Sequence, residues 1–386
     1  FEDGQWRLYG EKWFCSCADG DVAMLLARPK GAPEGNNGIA LFAMPRTLDN
    51  GKRNKYRIIR LKEKLGSRSM ASGEIVFDGA VAYALGEVGT GKNRGLKMMM
   101  DQVALSRLSH GARAAAMMRR ALNEAMEVAH NRSAFEEIII NKPLLRRQLM
   151  KIMLPTEQSL SMTMYLGQQI TKAEAGDERA EKVTRILTPA HKYRSCRDNI
   201  RVATGSMEAR GGNGYIEDFV NSKLVRDAHL GVLWEGTSNI NSLDITTRAV
   251  AKVNAHRDLE DELQDKLDKA DDMPGQYKGE MKNTVSMAIE LADEFGKSNN
   301  QTLARKASTA LYNAASATLL ATEGSKLGAA GGDARRLIMS RMVLDYRMRA
   351  QDPLSVRAGN FEKASTDLLL DDAPVSLDKA TQVISL

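Results

Sequence analysis

This chain of 386 residues has few cysteines, few aromatics and no long apolar run. Three cysteines, Cys15, Cys17 and Cys196, cannot build a disulfide framework, which points to a reducing compartment. The five histidines form no HExxH and no paired ligand spacing, so no metal site is expected. No apolar run approaches the roughly 18 residues of a membrane span, so none is expected. With nine prolines, 43% hydrophobic and 27% charged residues, collagen-like and mostly disordered chains are excluded. The net charge of +6 is unevenly spread. Residues 251–386 carry about −3, so residues 1–250 hold about +9.

At roughly 100–200 residues per domain, this length predicts two or three domains. Residues 1–90 read as β. Trp6–Tyr9 and Trp13-Phe14 flank a turn at Gly10 in a hairpin-like opening, and residues 22–27, 38–43 and 73–77 are further short strands separated by Gly, Asn and Pro clusters. From 91 the apolar spacing becomes helical, with long stretches at 92–131, 142–176 and 180–205 and prolines near helix starts at 143 and 189. Residues 91–254 thus read as a helical bundle. Residues 255–278 read as a linker or a solvated helix, 279–352 as a second helical unit, and the tail after Asp371 as loosely held. The divisions are therefore 1–90, 91–254 and 255–386. Cys15 and Cys17 alternate along a strand and read as small buried hydrophobes.

The segment richest in chemistry is 226–241, Arg-Asp-Ala-His-Leu-Gly-Val-Leu-Trp-Glu-Gly-Thr-Ser-Asn-Ile-Asn. It puts Glu235 in a glycine-containing loop between helices, next to Leu233 and Trp234. A carboxylate in such surroundings can have a raised pKa and act as a base. Thr237 and Ser238 are placed to cap the next helix. On the residues alone, a plain interhelical turn with a good cap accounts for the segment better.

The same segment resembles the acyl-CoA dehydrogenase signature, an aromatic-Glu-Gly-Thr-Ser loop that carries the catalytic base. Upstream, Gly205-Ser-Met-Glu-Ala-Arg-Gly-Gly-Asn-Gly-Tyr215 resembles that family's flavin-contacting glycine turn. Gly10-Glu-Lys-Trp-Phe-Cys-Ser16 resembles its flavin-facing strand, and Lys64-Leu-Gly-Ser-Arg-Ser69 its Gly-x-Arg loop. Arg132-Ser-Ala-Phe-Glu136 resembles its Arg-x-x-Phe-Gly motif, through which one subunit reaches its neighbour's dinucleotide. The likeness covers about residues 1–250. Residues 60–72 and 117–121, Trp234 and the extension after 255 carry the flavour of AidB-like members with an extra C-terminal helical domain.

The resemblance implies an α+β, mainly α chain: a small β-barrel or sandwich domain, then the family's four-helix bundle, then a C-terminal helical domain. The family's N-terminal helical domain is missing, so Phe1 is read as an internal boundary. Implied roles are Glu235 as base; Phe14, Ser16, Thr237 and Asn239 at the flavin; Arg132, Phe135, Glu208, Gly211 and Gly212 at the rest of FAD; and Arg107, Trp234 and Gly236 at the acyl-CoA. Some relatives carry the base on a bundle helix just before an arginine, but here Ser106 precedes the matching Arg107, which leaves Glu235. Glu136 stands in place of a glycine, Glu208 in place of a usual glutamine, and Asn239 where several relatives have glutamine. Both glutamates put negative charge near a diphosphate region unless paired or turned away.

The implied activity is dehydrogenation of an acyl-CoA in a homotetramer, a dimer of dimers, with an acceptor such as an electron-transfer flavoprotein. The implied location is intracellular, in the cytoplasm or, in a eukaryote, the mitochondrial matrix. The alternatives are an AidB-like flavoprotein with a DNA-protective role, for which the Arg335–Arg349 helix is the one DNA-like feature, and an acyl-CoA-holding regulator. DNA is not favoured, because residues 251–386 are net acidic.

Overall fold

The computed structural model describes residues 1–89, 93–350, 352, 354 and 359–386. The chain divides into two compact units, residues 1–106 and 107–386. The boundary expected at 90–91 falls outside the described residues.

The first unit is a curled antiparallel sheet of β1 (Trp6–Cys15), β2 (Val22–Ala27), β3 (Ala40–Pro45), β4 (Tyr56–Leu61) and β5 (Gly73–Leu85). β5 is its hub. β1 lines one side, from Cys15 opposite Gly73 to Trp6 opposite Ala82. On the other side β4 pairs with the first half of β5 and β3 with its last residues, while β2 extends β3. Buried Asn54 joins these pieces: its amide donates to the carbonyls of Pro45 and Val81 at 2.8 Å and accepts from the Val81 N–H at 2.8 Å. Phe42 and Met44, two residues apart, face one core with Ile75 and Ala80.

Three expectations change here. The opening is one strand with an irregularity at Leu8/Tyr9, not a hairpin at Gly10. β4 went unread because Tyr-Arg-Ile-Ile-Arg-Leu breaks simple alternation. Cys17 is exposed and Cys15 half-buried, so they are not a buried pair.

The second unit is helical, and residues 107–131 of α1 (Gly95–Asn131) belong to it. α2 (Pro143–Glu174) and α3 (Glu178–Arg210) follow, then α4 (Val220–Leu230), α5 (Ser238–Asp244), α6 (Ala255–Asp268), α7 (Gly275–Lys297), α8 (Ala304–Ala329), α9 (Arg335–Val343), α10 (Asn360–Leu369) and α11 (Leu377–Ile384). Pro143 opens α2 as expected. Pro189, expected near a helix start, lies inside α3, whose true start is capped by Asp177 accepting from the Ala180 N–H at 3.0 Å.

Residues 255–268 are neither linker nor solvated helix. Leu259, Leu263 and Leu267, each four apart, are buried on one face of α6, each contributing about 1.5–3 kcal/mol. The tail is likewise held: Ser376 caps α11, which buries Ala380, Val383 and Ile384. One hydrophobic core runs from α1 and α2 through to α11.

The arginines from 335 to 349 are all paired. Arg336 meets Glu157 and Glu323; Arg347 meets Asp198; Arg335 meets Asp333; Arg341 and Arg349 meet Glu280 and Asp345. No described helix is long and apolar enough to cross a membrane, and the described residues form no cluster of three metal-ligating side chains.

Candidate active site

Between α4 and α5 the chain reverses through two successive left-handed residues, Glu235 (φ +52°) and Gly236 (φ +87°). At Gly236 a Cβ would also lie 3.1 Å from the Asn241 amide nitrogen and from Ile240. For Glu235, which has a side chain, this conformation costs about 1–3 kcal/mol and persists only where its surroundings over-determine it.

They do. Lys192 Nζ, from α3, donates to the carbonyls of Trp234 (2.7 Å) and Gly236 (2.5 Å). Arg107 Nε, from α1, donates to the Glu235 carbonyl at 3.2 Å. Asn241 Nδ2, in α5, donates to the carbonyls of Gly236 (2.7 Å) and Thr237 (3.0 Å). Every carbonyl from 234 to 237 is therefore held by a side chain. Thr237 occupies the N-cap position of α5, but its hydroxyl makes no capping bond, contrary to expectation. The exposed Thr237 and Asn239 leave their side chains on the surface of this turn.

Arg107 is anchored by buried Asp244, which it meets at 2.8 Å, and Arg185 meets the same carboxylate at 2.7 Å. Burial pushes the Asp244 pKa up, but Arg185 and Arg107 outweigh it and hold the carboxyl below its ordinary value. Burial also lowers the Lys192 pKa, against the opposing pull of Cys196 and Glu235. Trp234 meets a ring and a charge from α1: His110 lies 4.5 Å from its ring and the Arg113 guanidinium 5.3 Å. Burial, helped by Arg113, pushes His110 down to about 4, so it is neutral near pH 7. His110 Nε2 and Trp234 Nε1 are both buried without a protein partner.

The second motif is a small hairpin, β6 (Ser133–Ala134) and β7 (Glu137–Ile138). Phe135 (φ +54°) and Glu136 (φ +70°) form its two-residue turn, the left-handed pair such a loop requires. Glu136 thus adopts the conformation usual for the glycine it replaces. Phe135 is 84% exposed. Arg132 donates to the Arg210 carbonyl, and a Cβ at Gly211 would sit 3.3 Å from its guanidinium. Exposed Glu208 accepts from Gln148 at 3.1 Å. A cation beside a bare glycine turn is a cradle that suits a diphosphate, so the residues present fit a dinucleotide.

A cavity of about 970 Å³ opens between α2, α3 and the C-terminal helices, bordered by Gln148, Asp198, Glu208, Tyr346 and Arg347; no residue of the Glu235 turn is among its described lining. Phe14 and Ser16 lie in the first unit, at the end of β1 and just beyond it, and both are exposed.

The structure brings Arg107, Trp234, Glu235 and Gly236 together, and separately Arg132 and Gly211, while Glu208 turns to Gln148. Sequence reasoning missed Lys192, Asp244, Arg185 and Asn241. A lysine within Ile186-Leu187-Thr188-Pro189-Ala190-His191-Lys192 was the available signal, because an unpaired charge in a run of buried residues needs a reason.

Residues 93–250 match the family model described as acyl-CoA dehydrogenase, C-terminal domain. AidB of Escherichia coli (strain K12) is 35% identical over 248 residues, 63% of this chain and 43% of AidB. The chain therefore spans less than half the length of that relative. Among solved structures, Caenorhabditis elegans ACDH-11 in complex with C11-CoA superimposes with a TM-score of 0.81 at 24% identity, over 91% of this chain and 61% of that one. An acyl-CoA dehydrogenase complexed with FAD from Bacillus anthracis does so with a TM-score of 0.71 at 16% identity, over 99% of this chain and 70% of that one. At these identities both likenesses describe the fold, mainly α with a small sheet.

Proposed function

We propose that the chain is an acyl-CoA dehydrogenase, as the match of residues 93–250 to that family's C-terminal domain supports, and that it catalyses FAD-dependent α,β-dehydrogenation of an acyl-CoA, with Glu235 as the base. The observation that carries this reading is the Glu235 turn, one carboxylate on a backbone held at every carbonyl. The thioester acidifies the α C–H, and Glu235 takes that proton. FAD, when bound, supplies the acceptor for the hydride leaving the β-carbon. The Glu235 N–H donates to no described protein group, which leaves it free to polarise the thioester carbonyl. Neutral His110 and the Trp234 ring wall the site, with Gly236 on the other side of the base.

Phe14, Ser16, Thr237 and Asn239 are assigned to the flavin end. Arg132, Phe135, Glu208, Gly211 and Gly212 are assigned to the diphosphate and adenosine end of a neighbouring copy's FAD, as the bare, exposed Phe135 hairpin favours. The assembly is then a homotetramer, and electrons leave to an acceptor such as an electron-transfer flavoprotein. Three free cysteines favour a reducing compartment, cytoplasm or mitochondrial matrix. A DNA-binding role draws no support from Arg335–Arg349, since each of those arginines already faces a carboxylate.

The test is anaerobic titration of the flavin-loaded protein with acyl-CoAs of graded length, following flavin absorbance. One chain length is expected to bleach the band, and Glu235→Gln to abolish bleaching by at least about 10³-fold in rate. A flavin band that no acyl-CoA bleaches overturns the reading.

A further inference from the structure

Lys192 is 1% exposed and sits on a fully helical stretch of α3 among buried residues. Among the described residues no carboxylate lies within ion-pair distance of its ammonium. Its two described acceptors are the carbonyls of Trp234 and Gly236, the residues on either side of Glu235. As a stability device this is poor: a buried charge with no carboxylate in ion-pair contact costs more than an apolar side chain of the same length. What it does achieve is geometric. Holding the carbonyls of Trp234 and Gly236 from one point fixes the peptide planes before Glu235 and after Gly236, and Arg107, on the Glu235 carbonyl, fixes the plane between them.

We infer that Lys192 is a positioning residue for the reaction: it clamps the peptide before Glu235, which carries the Glu235 N–H, and the peptide after Gly236, and so with Arg107 sets where the Glu235 carboxylate and N–H point. Lys192 touches no reacting atom. It acts through the turn, keeping Glu235 in a left-handed conformation that a residue with a side chain otherwise leaves. Residues this close to the reacting geometry act mainly on rate, since a displacement of about 1 Å costs on the order of 100-fold.

The inference rests on Glu235 being the base, and the experiment separates the two. Lys192→Met, Lys192→Gln and Glu235→Gln are compared in the flavin-loaded protein. The measurements are the rate of anaerobic flavin reduction by the acyl-CoA that reduces the parent, the Kd of a non-reducible acyl-CoA thioether, and hydrogen exchange across residues 230–241. Lys192→Met is expected to slow reduction on the order of 100-fold, with flavin content and thioether Kd within about twofold of the parent. Exchange at 230–241 should rise at least about tenfold while the rest of α3 keeps its protection. Lys192→Gln, which can satisfy one carbonyl, should fall between.

Reduction by Lys192→Met within about threefold of the parent overturns the inference, as does unchanged exchange in the turn. So does a thioether Kd that weakens in step with the rate. If neither variant can be isolated folded, Lys192 is a core residue and the inference fails. An active Glu235→Gln instead removes the base assignment, whatever the Lys192 variants do.

Discussion

The two motifs that mark this chain are built in opposite ways. The Glu235 turn is made from within: α1, α3 and α5 each send a polar side chain to its backbone, and a buried carboxylate, Asp244, anchors one of those donors. The Phe135 turn is made from without. It is a two-residue hairpin tip with its aromatic ring in solvent, tied to its own strands and by Lys142, which bonds the Phe135 carbonyl at 3.1 Å and pairs with Glu137. Both turns place a glutamate at positive φ. One is held by side chains from three helices, whereas the other leaves its aromatic ring exposed, as the proposed contact with a neighbouring copy requires. The contrast suits the proposed roles, since a base is best aimed before substrate arrives, while a contact to a neighbour's ligand is completed on assembly.

The comparison breaks first at Asp244. Asp244→Ala leaves Arg107 and Arg185 without their shared counter-charge, and the expected loss is about 3–5 kcal/mol, read as a lowered Tm and urea midpoint. The same carboxyl gives a pH signature. Its folded pKa lies below that of the unfolded chain, so its stabilisation is present above about pH 4 and disappears as pH falls through the folded value. A Tm series from pH 7 to 3 should steepen at the acid end, and Asp244→Asn should flatten that part.

Gly236→Ala should come next, at about 1–3 kcal/mol, because its φ of +87° and a Cβ 3.1 Å from Asn241 both oppose a side chain. Flavin reduction by acyl-CoA should slow more than Tm falls. An effect on Tm with no effect on rate would mean the turn does not aim the base. The smallest stability effect belongs to the outer turn. Phe135→Ala should change Tm by the equivalent of no more than about 0.5 kcal/mol, while lowering FAD affinity of the assembled protein, measured by flavin fluorescence on dilution. Equal loss of Tm would erase the contrast between the turns.

These two turns also mark what a single sequence yields. Trp-Glu-Gly-Thr-Ser and Arg-x-x-Phe are contiguous, so their likeness to a family is visible in one dimension. The clamp on the first turn is not, because Lys192 lies 42 and 44 residues from its acceptors and Arg107 lies 137 from Asp244. The sheet was read only in part: β4 carries arginines at two of its six positions because one of its faces is wet. α6 was misread for the opposite reason. Its abundant charges drew attention from three leucines that face the core. Cys17 shows that period-2 spacing says which side a residue takes, not whether that side is covered.

The pairing of α9 with the bundle carries a final consequence. Asp198 on α3 and Glu157 on α2 are buried, and each takes a cation from the C-terminal helices, Arg347 and Arg336. A chain cut after residue 254 would keep all the signature residues yet expose the apolar flank of α2 and α3 and strip both carboxylates of these partners. Such a fragment would be sticky, with Asp198 left to Arg194 and Glu157 to Arg119. The last third of the molecule is thus an internal wall for α2 and α3, and trimming it away would uncover them.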